Sequence, residues 1–188
     1  NLPAETAPDV IIISVLEFNI LEILDWEVRN SNCHYINSLN ENFLFNFKDG
    51  GILRDNQSNL FRSYINKMLK SKIDMIITSG AVSAGKFDFV PSVISKFTLS
   101  NIFKGVAIRP GKPILFAKLK KKAKVIFGLP GNPISSAACF RFFVYPYLLN
   151  TLGVKKEKPL KAKLKNDFKK KKNFTRFIKG KLISTSNG

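Results

Sequence analysis

The chain has few of the residues that most enzyme chemistries use. It has one histidine, His34, and two cysteines, Cys33 and Cys139. One imidazole and two separated thiols do not make a zinc site of ordinary ligand spacing. No Ser-His-Asp set can be built without His34, which reads more simply as a residue on a helix face. A single possible cysteine pair is not a disulfide framework, and it predicts a reducing, cytoplasmic setting. No apolar run reaches the ~18 residues of a membrane span, so no membrane partner is expected. Asn1 to Asp9 lack a basic region followed by an apolar stretch, so no secretory signal is expected.

Acidic residues are also scarce: 13 Asp+Glu face 31 Lys+Arg, a net charge of +18 over 188 residues. The stretch Lys155 to Lys181 alone carries thirteen basic and two acidic residues, a net +11 in 27 residues. Such a tail raises nucleic acid as a partner. The excess is lysine, however, in a chain also rich in Asn, Ile and Phe, all amino acids with AT-rich codons. The charge therefore reads as coding bias and a solvated face. The aromatics do not interleave with cations; Phe140, Phe142, Phe143, Tyr145 and Tyr147 read as helix core. A basic nucleic-acid-binding protein stays only as a remote alternative.

With 45% hydrophobic residues, there is enough apolar side chain for a packed core. Val10 to Leu16 and Ile73 to Thr78 are continuous β-branched runs of the kind buried in a parallel sheet. Val106 to Arg109, Ile114 to Ala117 and Lys124 to Phe127 predict shorter strands. Helices are expected over Ser31 to Phe43, from Leu60 to Leu69, over Phe89 to Phe97 with Pro91 in the first turn, and from Ile134 to Leu149. Asp49-Gly50-Gly51 predicts a turn. Strands alternating with helices predict a three-layer α/β fold, a largely parallel sheet flanked by helices. Gly153 and the lysine-rich stretch mark a boundary, giving an α/β domain over 1–153. In the β-rich segment over 154–188, Lys161 to Leu164 and Arg176 to Ile183 are candidate strands.

In such sheets ligands bind where βα loops leave the carboxyl ends of strands. Two loops have that place and a fitting composition. Thr78 to Asp88 is rich in small residues, so its backbone can approach an anion; Ser79 and Ser83 add hydroxyls, and Asp88 could hold hydrated Mg²⁺ beside a phosphate. An ordinary glycine turn capped by Asp88 is the bland alternative. Gly128-Leu129-Pro130-Gly131-Asn132-Pro133 is a stiff loop that opens a helix, whose N-terminus is positive. It lacks the Gly-Lys-Ser/Thr ending of a P-loop, and on composition it is equally a rigid connection. Arg109-Pro110-Gly111-Lys112-Pro113 supplies two cations for a polyanionic ligand, or merely surface charge.

These segments, in this order, resemble molybdopterin molybdenumtransferases, a family that includes bacterial enzymes and the C-terminal part of gephyrin. The resemblance runs from about Val10 to Leu152 and takes in Arg29-Asn30-Ser31-Asn32 and Ile52-Leu53-Arg54-Asp55. It implies insertion of molybdenum into adenylylated molybdopterin, with Mg²⁺-dependent release of AMP and molybdate as co-substrate. It implies that Asp88 and Asp55 are catalytic and metal-binding, and that Arg109 helps hold molybdate. Ser79, Gly80, Ser83, Gly85, Lys112, Pro130, Gly131, Asn132 and Pro133 would contact substrate. It further implies a homodimer that receives its pterin from a molybdopterin adenylyltransferase, and it makes 154–188 the start of a C-terminal β domain. The sequence departs from the family in three places. Ser14 to Asn19 lacks the family's glycine turn, Asn56 stands where a second aspartate is common, and Gly105 replaces a lysine. A non-catalytic pterin-binding or dimerisation module, and a molybdopterin adenylyltransferase, are the alternatives that this resemblance leaves open.

Overall fold

The computed structural model describes residues 9–16, 31–38, 45–54, 57–82, 89–121, 124–155, 157–169 and 173–183. Its strands are β1 (Asp9–Leu16), β2 (Asn46–Arg54), β3 (Met75–Ser79), β4 (Leu99–Lys104), β5 (Ile108–Arg109), β6 (Leu115–Leu119), β7 (Val125–Leu129) and β8 (Thr175–Arg176). Its helices are α1 (Ser31–Ser38), α2 (Ser58–Lys70), α3 (Phe89–Ile94), α4 (Pro133–Cys139) and α5 (Tyr145–Thr151), the last two joined by a π-helical segment, Phe140–Val144.

Six strands form one sheet in the order β2-β1-β3-β7-β6-β4. β2, β1, β3 and β7 run parallel, while β6 is antiparallel to β7 and to β4. The short Lys120–Lys124 connection accounts for the reversal, because a parallel crossover needs a dozen or more residues. β3 and β7 lie at the centre and every one of their residues is buried. Both sheet faces are covered. Met75, Ile77, Phe116, Val125 and Phe127 pack under α1 and the α4–α5 helix, against Cys33, Ile36, Phe140, Val144 and Leu148. Ile76, Leu115, Ala117 and Ile126 pack the other way, against Phe61, Ile65 and Met68 of α2 and Val90, Val93 and Ile94 of α3. The result is the expected three-layer α/β architecture, and α2 exists because its apolar residues recur at the helical period that faces the sheet.

Several local expectations change. Asp49-Gly50-Gly51 is not a turn but lies within β2, where the register jumps from Ile12↔Asp49 to Ser14↔Ile52. Gly51 takes φ +77° and its N–H donates to Asp49 Oδ1 at 2.7 Å, so the glycine pair forms a bulge. Leu99–Lys104, unassigned from sequence, is the edge strand β4. The single helix expected from Ile134 to Leu149 contains the π turn, in which the Tyr145 N–H donates to Phe140 O. Pro146 follows at the start of α5; a proline inside a regular helix removes a backbone donor and crowds the preceding turn, and the wider π turn accommodates it. Lys161–Leu164 forms no strand, and the strand expected over Arg176 to Ile183 is reduced to Thr175–Arg176. The predicted helix residues 39–43 lie outside the described residues.

Candidate functional site

The parallel strands β3 and β7 are neighbours, with Ser79 opposite Leu129, so both loops leave from one edge of the sheet. The Gly80 N–H donates to Leu129 O at 2.9 Å, tying the first residue after β3 to the end of β7. Gly80 has φ +104° and Ala81 φ 52°, a left-handed turn that only a small residue adopts at low cost. A methyl group on Gly131 would lie 3.6 Å from Gly80 Cα, so the two loops touch backbone to backbone.

A third element closes this contact. Asn32, in the first turn of α1, uses its Nδ2 to donate to Ser79 Oγ at 2.5 Å and to Gly131 O at 2.8 Å. One amide therefore fixes both loops at once. In the sequence Asn32 stands out only as part of the Arg29-Asn30-Ser31-Asn32 segment. Its signal was weak because an Asn near a helix start reads first as a capping residue.

Asn132 does cap a helix: its Oδ1 accepts from the Ser135 N–H at 3.1 Å, and Pro133 follows in the first turn. Pro130 is buried, whereas Gly131, Asn132 and Pro133 face solvent. Beneath the loops two buried hydroxyls, Thr78 Oγ1 and Ser136 Oγ, have no hydrogen-bond partner among the described residues. The edge therefore holds polar capacity in an otherwise apolar setting.

The cationic loop arrives at the same edge. β6 runs against β7, with Leu115 opposite Gly128, so the residues before β6 lie beside the residues that end β7. Gly111 has φ +107° and packs on α4, where an added methyl would sit 2.6 Å from Cys139 Sγ. The Arg109–Pro110 peptide is cis. Arg109 and Lys112 are exposed, and both lie over the ring of Phe174, at 5.0 Å and 6.0 Å from its centroid.

The structure thus brings together Ser79, Gly80, Pro130, Gly131, Asn132 and Pro133; the loop of Arg109 and Lys112 reaches the same sheet edge, where both side chains lie over Phe174. Ser83, Gly85, Asp55 and Asp88 lie outside the described residues. Neither cysteine is an activated nucleophile: burial pushes the Cys139 thiol up to about 12, and burial with the nearby Asp49 charge pushes Cys33 up to about 11. Among the described residues no group of three His, Cys, Asp or Glu could hold a metal ion, and no helix is long and apolar enough to cross a membrane.

Comparison with known proteins bears on the family and the fold. The family described as "Probable molybdopterin binding domain" matches residues 21–150. The chain is 35% identical to a molybdopterin molybdenumtransferase from Staphylococcus aureus over 96% of its own length, and 38% identical to one from Synechocystis over 71%. It spans 43% and 31% of those two proteins, so less than half of either. A molybdopterin biosynthesis MoeA protein from Pyrococcus horikosii superposes with a TM-score of 0.58 at 28% identity, covering 78% of this chain and 36% of that one. A molybdopterin biosynthesis Mog protein from Mycobacterium ulcerans, at 18% identity and a TM-score of 0.56, shares the fold over 78% of this chain and 98% of its own. The match over residues 21–150 shows that the chain belongs to the probable molybdopterin binding domain family, and along nearly its whole length it is similar to part of the molybdopterin molybdenumtransferases.

Proposed function

We propose that this chain carries the pterin-binding core of a molybdenumtransferase, which binds adenylylated molybdopterin where β3 and β7 end and transfers molybdenum to its dithiolene. The observation that carries this reading is the Asn32 amide, which locks the Ser79 and Gly131 loops into one rigid edge. Preorganised backbone and hydroxyl donors suit a phosphate, and a rigid, side-chain-poor loop lets a flat ligand approach closely. The two cations Arg109 and Lys112, on a loop that reaches the same sheet edge, suit an oxyanion such as molybdate.

Hydrolysis of the adenylyl–pterin phosphoanhydride by water would release AMP and leave the pterin phosphate, and molybdate would bond to the two dithiolene sulfurs as one oxo ligand leaves as water with the two thiol protons. Neither event needs a protein nucleophile, in keeping with the high thiol pKa values of Cys33 and Cys139. Mg²⁺ binds through one or two carboxylates plus substrate phosphates. Asp55 and Asp88 would hold it, and it would neutralise phosphate charge. In this reading the enzyme is a cytoplasmic homodimer that takes its pterin from an adenylyltransferase, and 154–188 begins a C-terminal β domain.

The test is AMP release from adenylylated molybdopterin by the purified chain, with and without molybdate and Mg²⁺. Release that needs both, and is lost in Asp88→Ala, is expected. Saturable pterin binding without release would instead support the second reading, a binding or dimerising module. Ser14 to Asn19, which lacks the family's glycine turn, favours that reading.

A further inference from the structure

The tail that follows the α/β layers does not merely leave the domain. Glu157 pairs with Arg141 and accepts from Tyr145 Oη at 3.2 Å, which fixes the start of the tail on the α4–α5 helix. Further along, the Thr175 N–H donates to Ala107 O and the Phe177 N–H to Arg109 O, both at 2.8 Å. These bonds build the parallel pair β5–β8, with Ile108 opposite Thr175 and Arg109 opposite Arg176. The Phe177 ring stacks on Phe142 of the π segment at 3.8 Å and 9°. Asn173, with φ 69°, turns the chain just before Phe174.

The tail thereby sets Phe174 under two cations. The Arg109 guanidinium lies 5.0 Å from the ring centroid and the Lys112 ammonium 6.0 Å. Arg109 and Lys112 are both exposed, and among the described residues neither has a carboxylate partner within salt-bridge range. Like charges on a short loop repel and sample many rotamers, so a shared aromatic face is the feature that gathers them. We propose that Phe174 is a positioning residue: its ring, delivered by the β5–β8 ladder, holds Arg109 and Lys112 as one preformed cationic pair for a tetrahedral oxyanion. This rests on the oxyanion site proposed for Arg109, and it adds that the tail helps build the site.

The experiment is calorimetric titration of sodium molybdate into the full chain and its variants, with melting curves to confirm folding. Two exposed cation–π contacts amount to roughly five- to thirtyfold in affinity, so Phe174→Ala should weaken molybdate binding by about that factor. Phe174→Trp should restore it, since indole is the better cation partner. Arg109→Ala should weaken binding further, and adding Phe174→Ala to it should cost less than Phe174→Ala costs alone. Unchanged affinity in Phe174→Ala, a loss that Phe174→Trp does not rescue, or losses that simply multiply would each overturn the proposal, as would a folded wild-type chain that binds no molybdate. Molybdate binding without AMP release would defeat the transferase reading and leave Phe174 its role. AMP release with a silent Phe174→Ala would do the reverse.

Discussion

Gly111→Ala separates a backbone cost from a packing cost at the loop that carries both cations. Two costs follow from geometry. At φ +107° an L-residue is strained by about 1–3 kcal/mol. The new methyl would also lie 2.6 Å from Cys139 Sγ and 3.1 Å from Ile108 Cδ1, a forced overlap in a filled core that costs about 1–3 kcal/mol. Together they reach roughly 2–6 kcal/mol, a large part of the ~5–15 kcal/mol that holds a domain folded. For a chain of this length each kcal/mol lowers Tm by roughly 2–4 °C, so a fall of about 4–24 °C is expected in thermal melts followed by circular dichroism. Cys139→Ala removes the sulfur in the way but leaves φ untouched. In that background Gly111→Ala should cost less by the Cys139 part of the overlap, the closer of its two contacts, and the double-mutant cycle subtracts the cavity that Cys139→Ala makes by itself. A Gly111→Ala protein that melts with the wild type refutes the strain argument. Equal costs in the two backgrounds refute the overlap argument.

Asn32→Ala removes both bonds that join the β3 and β7 loops and leaves Ser79 and Gly131 short of a partner, so stability should fall by about 1–3 kcal/mol in urea unfolding, and AMP release should fall with it. Both thiols are raised, mainly by burial, and should resist a thiol reagent at pH 8 in the native protein while both react in urea; fast native labelling would contradict their burial. An acid whose folded pKa is raised stabilises the protein fully below its unfolded value, here near 9.0, and the contribution is lost as pH climbs toward 11–12. The urea midpoint should therefore decline above pH 9, and decline less in Cys139→Ala.

The parts of this fold that could be read from the sequence are those where burial alone chooses the side chain. The run at Ile73–Thr78 holds most of the buried central strand β3, and GLPGNP is a strand end and a helix start. The failures cluster where a second segment decides. Leu99–Lys104 mixes apolar and polar residues because it is an edge strand with several exposed positions, and only β6 beside it makes it a strand. Lys161–Leu164 alternates like a strand, but among the described residues no strand pairs with it, and Leu164 is 74% exposed. Asp49-Gly50-Gly51 has a turn's composition, yet β1 runs alongside and converts it to a bulge. The site divides in the same way. Its loops are local and could be recognised, whereas Asn32 bonds to residues 47 and 99 positions away, and no local pattern contains that.

One topological detail determines whether the two anion-binding features can cooperate. Every ligand loop of a parallel sheet leaves from the carboxyl ends of its strands, and the segment that enters a strand lies at the far edge. Pro110–Pro113 is such an entering segment, since it leads into β6. Had β6 continued the parallel direction, this loop would stand off from the Gly128–Pro133 loop by the length of a five-residue strand, roughly 17 Å. Reversal of β6 instead pairs Leu115 with Gly128 and brings the Arg109–Lys112 loop to the edge where β3 and β7 end. The tight connection between β6 and β7 therefore does more than add an antiparallel pair to the sheet. It moves the only cations of that motif from the wrong edge to the right one, and the β5–β8 ladder then holds them there.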